Sequence, residues 1–151
     1  MVMAREKLNL NIMIMADKII NVRGYKFELL RWNEKWVFPF VTYYQSGLGS
    51  PVCIVLFSWN QEEDIFEQET TVTVNLPHYE RGAGCQFVDT NNNGSSMTDW
   101  LVNNGFGFPT HRYAESGFCR FPEFYFMSGE KFLIYKNFCD AHPEIAEILF
   151  V

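Results

Sequence analysis

Residues 52–57 read Val52-Cys53-Ile54-Val55-Leu56-Phe57, six apolar side chains in succession. A run this short and this rich in β-branched residues is the pattern of a strand buried on both faces, the centre of a sheet. The neighbours on either side keep to strand periodicity. Downstream, Thr70, Val72, Val74 and Leu76 alternate with Thr71, Thr73 and Asn75, which leaves one polar face. Upstream, Tyr25, Phe27 and Leu29 alternate with Lys26 and Glu28, and Asn33-Glu34 supplies a turn. Residues 36–44 follow, apolar on both faces, with Pro39 marking an edge or bulge. Residues 45–50, Gln-Ser-Gly-Leu-Gly-Ser, form a loop, and residues 118–127 and 132–138 read as a closing hairpin around Ser128-Gly129.

Helical signals are few. Ser96 with Asp99 three residues later resembles a capping box, Met97, Trp100 and Leu101 fall at helical spacing, and Asn104-Gly105 would end the helix. Pro143 suits the first turn of a second helix whose stripe is Ile145, Ile148 and Leu149. Residues 60–67 fit a third, capped by Asn60 and Glu63. The expected fold is α+β: an antiparallel sheet of about five to seven strands with two or three short helices on one face. Residues 17–151 form one domain in this reading, and residues 1–16, which contain the alternative starts Met13 and Met15, form a leader.

The chain has 151 residues, 48% of them hydrophobic and 17% aromatic. A globule of this size buries roughly 70% of its unfolded surface and has no need of metal or disulfide staples. No stretch of 18 apolar residues is present, so no membrane span is expected. The four cysteines, Cys53, Cys85, Cys119 and Cys139, are scattered without a CxxC, which suits buried thiols in a reduced, cytoplasmic protein. The net charge of −6 argues against a general nucleic-acid coat. It is unevenly placed: residues 1–40 carry +3 and residues 41–151 carry −9.

Asp89-Thr90-Asn91-Asn92-Asn93-Gly94 matches the first six positions of a calcium loop, with Asp89, Asn91, Asn93 and Asp99 as candidate ligands. The match then fails, because the twelfth position is Trp100 and the bidentate Glu is missing. A turn that caps a helix explains the same residues. His78, Cys85, His111 and Cys119 have the residue types of a zinc site without its tight spacing. Cys85 or Cys119 with His111 and Asp89 could be assembled into a nucleophile, base and orienting group. Gly82-Ala83-Gly84 and Gly105-Phe106-Gly107 lack the third glycine of a dinucleotide site. No cofactor is expected.

Two surface segments remain. Glu62, Glu63, Asp64, Glu67 and Glu69 place five carboxylates in eight positions without a compensating base. Such a run is either a solvated face or a negative patch for a basic partner. Arg23, Tyr25, Lys26, Arg31, Trp32, Lys35 and Trp36 interleave cations with aromatics, a composition able to stack and track single-stranded nucleic acid. Cross-strand pairing of the two tryptophans explains it equally.

The stretches Val74-Asn75-Leu76-Pro77, Cys85-Gln86-Phe87-Val88-Asp89-Thr90-Asn91-Asn92, Trp100-Leu101 with Asn104-Gly105-Phe106-Gly107-Phe108-Pro109-Thr110, and Ser116-Gly117-Phe118-Cys119-Arg120-Phe121-Pro122, in that order, resemble a bacterial family of unknown function, family 4313. The resemblance covers residues 69–126. It implies a small accessory protein of mobile elements of gut bacteria, with no assigned activity. His111 stands where the resemblance implies a small residue such as Gly, which speaks against a catalytic role. The leading expectation is a non-enzymatic binding protein of a mobile element or phage, an inhibitor of a basic host defence nuclease, acting through Glu62, Glu63, Asp64, Glu67 and Glu69. The alternative is a nucleic-acid-binding or regulatory protein acting through Arg31, Trp32, Lys35 and Trp36. A cysteine- or metal-dependent enzyme around Cys85, Asp89 and His111 comes third.

Overall fold

A computed structural model describes residues 18–151 of the chain; the expected leader lies outside the described residues. The first sheet is an antiparallel meander of five strands in sequence order: β1 (Lys18–Val22), β2 (Tyr25–Trp32), β3 (Lys35–Tyr43), β4 (Val52–Asn60) and β5 (Ile65–Thr71). The apolar run at 52–57 is buried throughout and pairs with β3 on one side and β5 on the other, so it needs no polar face.

Beyond β5 the chain turns a corner at Val72, whose amide donates to the Ile54 carbonyl at 2.8 Å. Strand β6 (Thr73–Val74) then opens a second antiparallel sheet with β7 (Cys85–Val88), β8 (Phe108–Ser116) and β9 (Cys119–Tyr125), in the order β6-β7-β9-β8. Two buried polar side chains join the sheets. Thr73 Oγ1 accepts from the Ile54 amide at 3.1 Å, and Gln86 Nε2 donates to the Val52 carbonyl at 3.1 Å. Each meets a backbone group that the corner would otherwise leave unpaired in a dry interior.

The helices are α1 (Thr90–Asn93), α2 (Ser96–Asn103), α3 (Glu130–Ala141) and α4 (Ala146–Leu149), the last preceded by a 3-10 turn, Pro143–Ile145. Phe38 and Phe40 lie two apart on β3 and so share a face. Phe38 meets Tyr135 and Phe138 of α3, and Phe40 meets Phe150 just beyond α4. Trp100 of α2 donates from Nε1 to the Arg31 carbonyl at 2.7 Å, and Phe106 stacks on Tyr135 with ring centres 5.9 Å apart. The fold is α+β as expected, with nine short strands among the described residues shared between two sheets.

Three local expectations are corrected. Residues 132–138 are not the second arm of a hairpin but the middle of α3, because Phe132, Tyr135 and Cys139 are buried at i, i+3 and i+7. The partner of β9 is β8, and the two are joined at Gly117-Phe118. Gly129 caps α3 where a Cβ would stand 2.2 Å from the Phe106 carbonyl carbon, so no other residue fits this turn unchanged. Residues 60–67 are a turn and the start of β5 rather than a helix. Asn60 does act as a cap, its Oδ1 accepting from the Glu62 and Glu63 amides at 3.1 Å each, but Ile65 and Phe66 then pair back onto Asn60 and Trp59. The capping box at Ser96 is also absent: Ser95 is the N-cap and makes no side-chain cap bond.

Candidate functional site

The two segments singled out for their charge lie together. The β2–β3 turn at Asn33-Glu34, with φ of 46° and 63°, and the β4–β5 turn at 61–64 stand at the same end of the meander. Between them runs a groove of about 290 Å³ lined by Arg31, Lys35 and Trp36 from the first hairpin and Ser58, Trp59 and Glu67 from the second.

Within it the cations are engaged. Lys35 Nζ pairs with Glu69 at 2.8 Å, and Ser58 Oγ donates to the same carboxylate at 2.7 Å. Burial would raise the Glu69 pKa, but the bonds from Lys35 and Ser58 outweigh it and hold the carboxyl below its ordinary value. The Arg31 guanidinium lies 5.1 Å from the Trp36 ring centre and Lys18 Nζ 5.9 Å from it, a cation–π arrangement that occupies that ring. Trp32 packs against the core. Of the cation–aromatic set, then, Arg31 and Trp36 engage each other, Lys35 is paired with Glu69, and Arg23 and Lys26 are exposed.

The carboxylates divide. Glu69 is bound as described, and Glu67 accepts from Asn60 Nδ2 at 2.8 Å. Glu62, Glu63 and Asp64 are exposed at the tip, and their carboxylates have no hydrogen-bond or ion-pair partner among the described residues. Asn60 holds the turn, and Asp64 takes a left-handed φ of 52° to send the chain back into β5.

Of Asp89, Asn91, Asn93 and Asp99, two are committed to hydrogen bonds within the protein. Asp89 caps α1, accepting from the Asn92 amide at 3.0 Å and from Asn92 Nδ2 at 2.7 Å. Asn93 turns back to the sheet corner, donating to the Thr71 carbonyl at 2.9 Å and accepting from Thr70 Oγ1 at 2.6 Å. Asn91 and Asp99 are exposed. Among the described residues no group of three His, Cys, Asp or Glu side chains could hold a metal ion, and His78, Cys85, His111 and Cys119 form no such group. Burial pushes the Cys53 and Cys85 thiols up and Cys139 up to about 12, the opposite of what a thiolate nucleophile requires.

A buried charge escaped the sequence reading. Glu123 on β9 is 1% exposed and accepts from Thr110 Oγ1 at 2.7 Å, from Arg112 Nε at 2.9 Å and Nη2 at 3.0 Å, and from the Gly82 amide at 3.0 Å. It ties β8 and the loop 75–84 to β9. Its only trace in the sequence is a single acid between Pro122 and Phe124 in the apolar run Phe121–Tyr125.

The geometry defines a two-sheet α+β protein with an acidic hairpin end. The family model "Domain of unknown function (DUF4313)" matches residues 41–148, and the chain belongs to that family. The matched span extends the resemblance seen at 69–126 to β4, the acidic hairpin and α3, and leaves β1, β2 and most of β3 outside it. No curated protein and no solved structure matches the chain.

Proposed function

We propose that the protein is a non-enzymatic binding protein that docks on a basic protein surface through its β4–β5 end. The observation that carries this reading is the state of Glu62, Glu63 and Asp64: exposed, uncompensated among the described residues, and held on a braced turn beside cations already engaged by Glu69 and Trp36. A fixed patch of one sign steers encounter and selects partners of the other sign without paying much ordering entropy. A surface built to hold nucleic acid offers the complementary charge, and a host defence nuclease met by a mobile-element accessory protein is the specific case. The acidic hairpin lies within the family-matched residues, whereas Arg31, Trp32, Lys35 and Trp36 do not.

The test is capture of host-cell proteins on the wild type and on the triple variant Glu62→Lys, Glu63→Lys, Asp64→Lys, in 50 mM and 300 mM salt. A basic protein held by the wild type, weakened at least tenfold by the reversal and released by salt, is expected. Equal capture by both forms would overturn the proposal. A labelled single-stranded oligonucleotide bound with a steep salt dependence, and lost in Arg31→Ala/Lys35→Ala, would favour nucleic acid instead.

A further inference from the structure

Where the two sheets meet, the loops 44–51 and 75–84 and helix α3 enclose a cavity of about 310 Å³. That volume lies at the lower end of the roughly 300–1,000 Å³ of small-molecule sites. Val52, Cys85 and Met127 give it an apolar wall, and Tyr43, Arg81 and Lys136 bring polar groups to it. No carboxylate lines it, although the chain carries −6 overall. Two cations from elements far apart in sequence thus line one cavity, Lys136 with Asp140 behind it.

Each polar group is braced from outside the cavity. Lys136 Nζ pairs with Asp140 at 2.8 Å, and the Tyr43 hydroxyl donates to Asp140 at 3.2 Å, which sets both on the α3 side. Arg81 is half-buried and donates one Nη2 bond to the Leu48 carbonyl; its other N–H groups make no hydrogen bond among the described residues. A guanidinium has five N–H groups in a rigid fork, so most of its capacity remains for a ligand. The opposite wall is packed rather than slack. A Cβ on Gly84 would stand 2.4 Å from Met127 Cγ, and the Phe126 amide donates to the Gly84 carbonyl at 3.0 Å. Every lining residue falls within the family-matched span.

We propose that this cavity binds a small organic anion, its carboxylate or phosphate head held by Arg81 and Lys136 and its apolar body lying on Val52, Cys85 and Met127. An Arg fork and a Lys point charge are complementary to an oxyanion, and partial burial strengthens charge-assisted bonds relative to water. The site stands apart from the acidic hairpin and needs no protein partner.

Phenyl phosphate and benzoate serve as probes, with benzyl alcohol as the uncharged counterpart, in calorimetric titration and thermal shift. Saturable binding of at least one anion and none of benzyl alcohol is expected, and which anion binds more tightly identifies the head. Arg81→Met should weaken that binding at least tenfold, while Arg120→Met, a remote cation, leaves it unchanged. A readout on the wild type guards against a variant that folds poorly: peptide-resolved alkylation of Cys85 by N-ethylmaleimide should slow severalfold with the bound anion and not with benzyl alcohol. Absence of saturable binding by both anions, unchanged affinity in a folded Arg81→Met protein, or equal protection of Cys85 by benzyl alcohol would overturn the proposal.

Discussion

Replacing Arg112 by Met should destabilise the protein at pH 7 and do so progressively less in acid. Burial alone would raise the pKa of the Glu123 carboxyl, yet the hydrogen bonds from Thr110, the Gly82 amide and Arg112 outweigh it and hold the group below its ordinary value. A carboxyl depressed in the folded state stabilises that state above its unfolded pKa of about 4.3, and the stabilisation is lost as the pH falls through the folded value. Met keeps much of the stem's packing but removes both guanidinium bonds and the charge, so the folded pKa rises and the ionised form loses support. A hydrogen bond to a charged group contributes about 1.5–3 kcal/mol. The Arg112 side chain is 61% exposed, so solvent screening places the loss at the low end, about 1.5 kcal/mol at pH 7. For a chain of this length that is a fall in Tm of roughly 3–6 °C. Urea unfolding followed by the fluorescence of the four tryptophans, between pH 7 and pH 3, measures it. The difference should shrink below about 0.5 kcal/mol once Glu123 is protonated in both proteins. In a Glu123→Gln background Arg112→Met should cost much less, a coupling that a double-mutant cycle isolates. A pH-independent cost, or the same cost in the Gln background, would refute the reasoning.

Two further outcomes rest on backbone geometry. His111 sits at φ 68°, where side chains other than Gly are strained by about 1 kcal/mol, so His111→Gly should be neutral or stabilising by up to that amount while His111→Val loses more than 1 kcal/mol, both read from urea midpoints. Gly129→Ala should cost about 3 kcal/mol or more, seen as a lowered Tm or lost expression, because its Cβ would meet the Phe106 carbonyl at 2.2–2.3 Å; a wild-type Tm would show that the α3 cap can shift freely.

Some of this was legible in the residues because it depends on neighbours in the chain. The central strand, α2 with Met97 and Leu101 inward, and the closing turn with Ile145, Ile148 and Leu149 buried all follow from local periodicity. Residues 132–138 misled because a dense aromatic run satisfies strand and helix templates alike, and only packing of Tyr135 and Phe138 on Phe38 chooses between them. Residues 60–67 misled because Asn60 caps a turn as readily as a helix, and the choice belongs to β4, which needed a partner for its second edge. The acidic run was visible as composition; its division into bound Glu67 and Glu69 and open Glu62, Glu63 and Asp64 was not.

By itself, then, the sequence determined which segments must be buried and with what period, because apolar spacing is a property of the chain read residue by residue. Tertiary structure alone decided the pairings. It set Lys35 against Glu69 across 34 positions, Arg112 against Glu123 across an irregular register, and Arg81 and Lys136 on the wall of one cavity. The reason is physical: a charge finds its partner through the fold's long-range register and corners, and no local pattern carries that information.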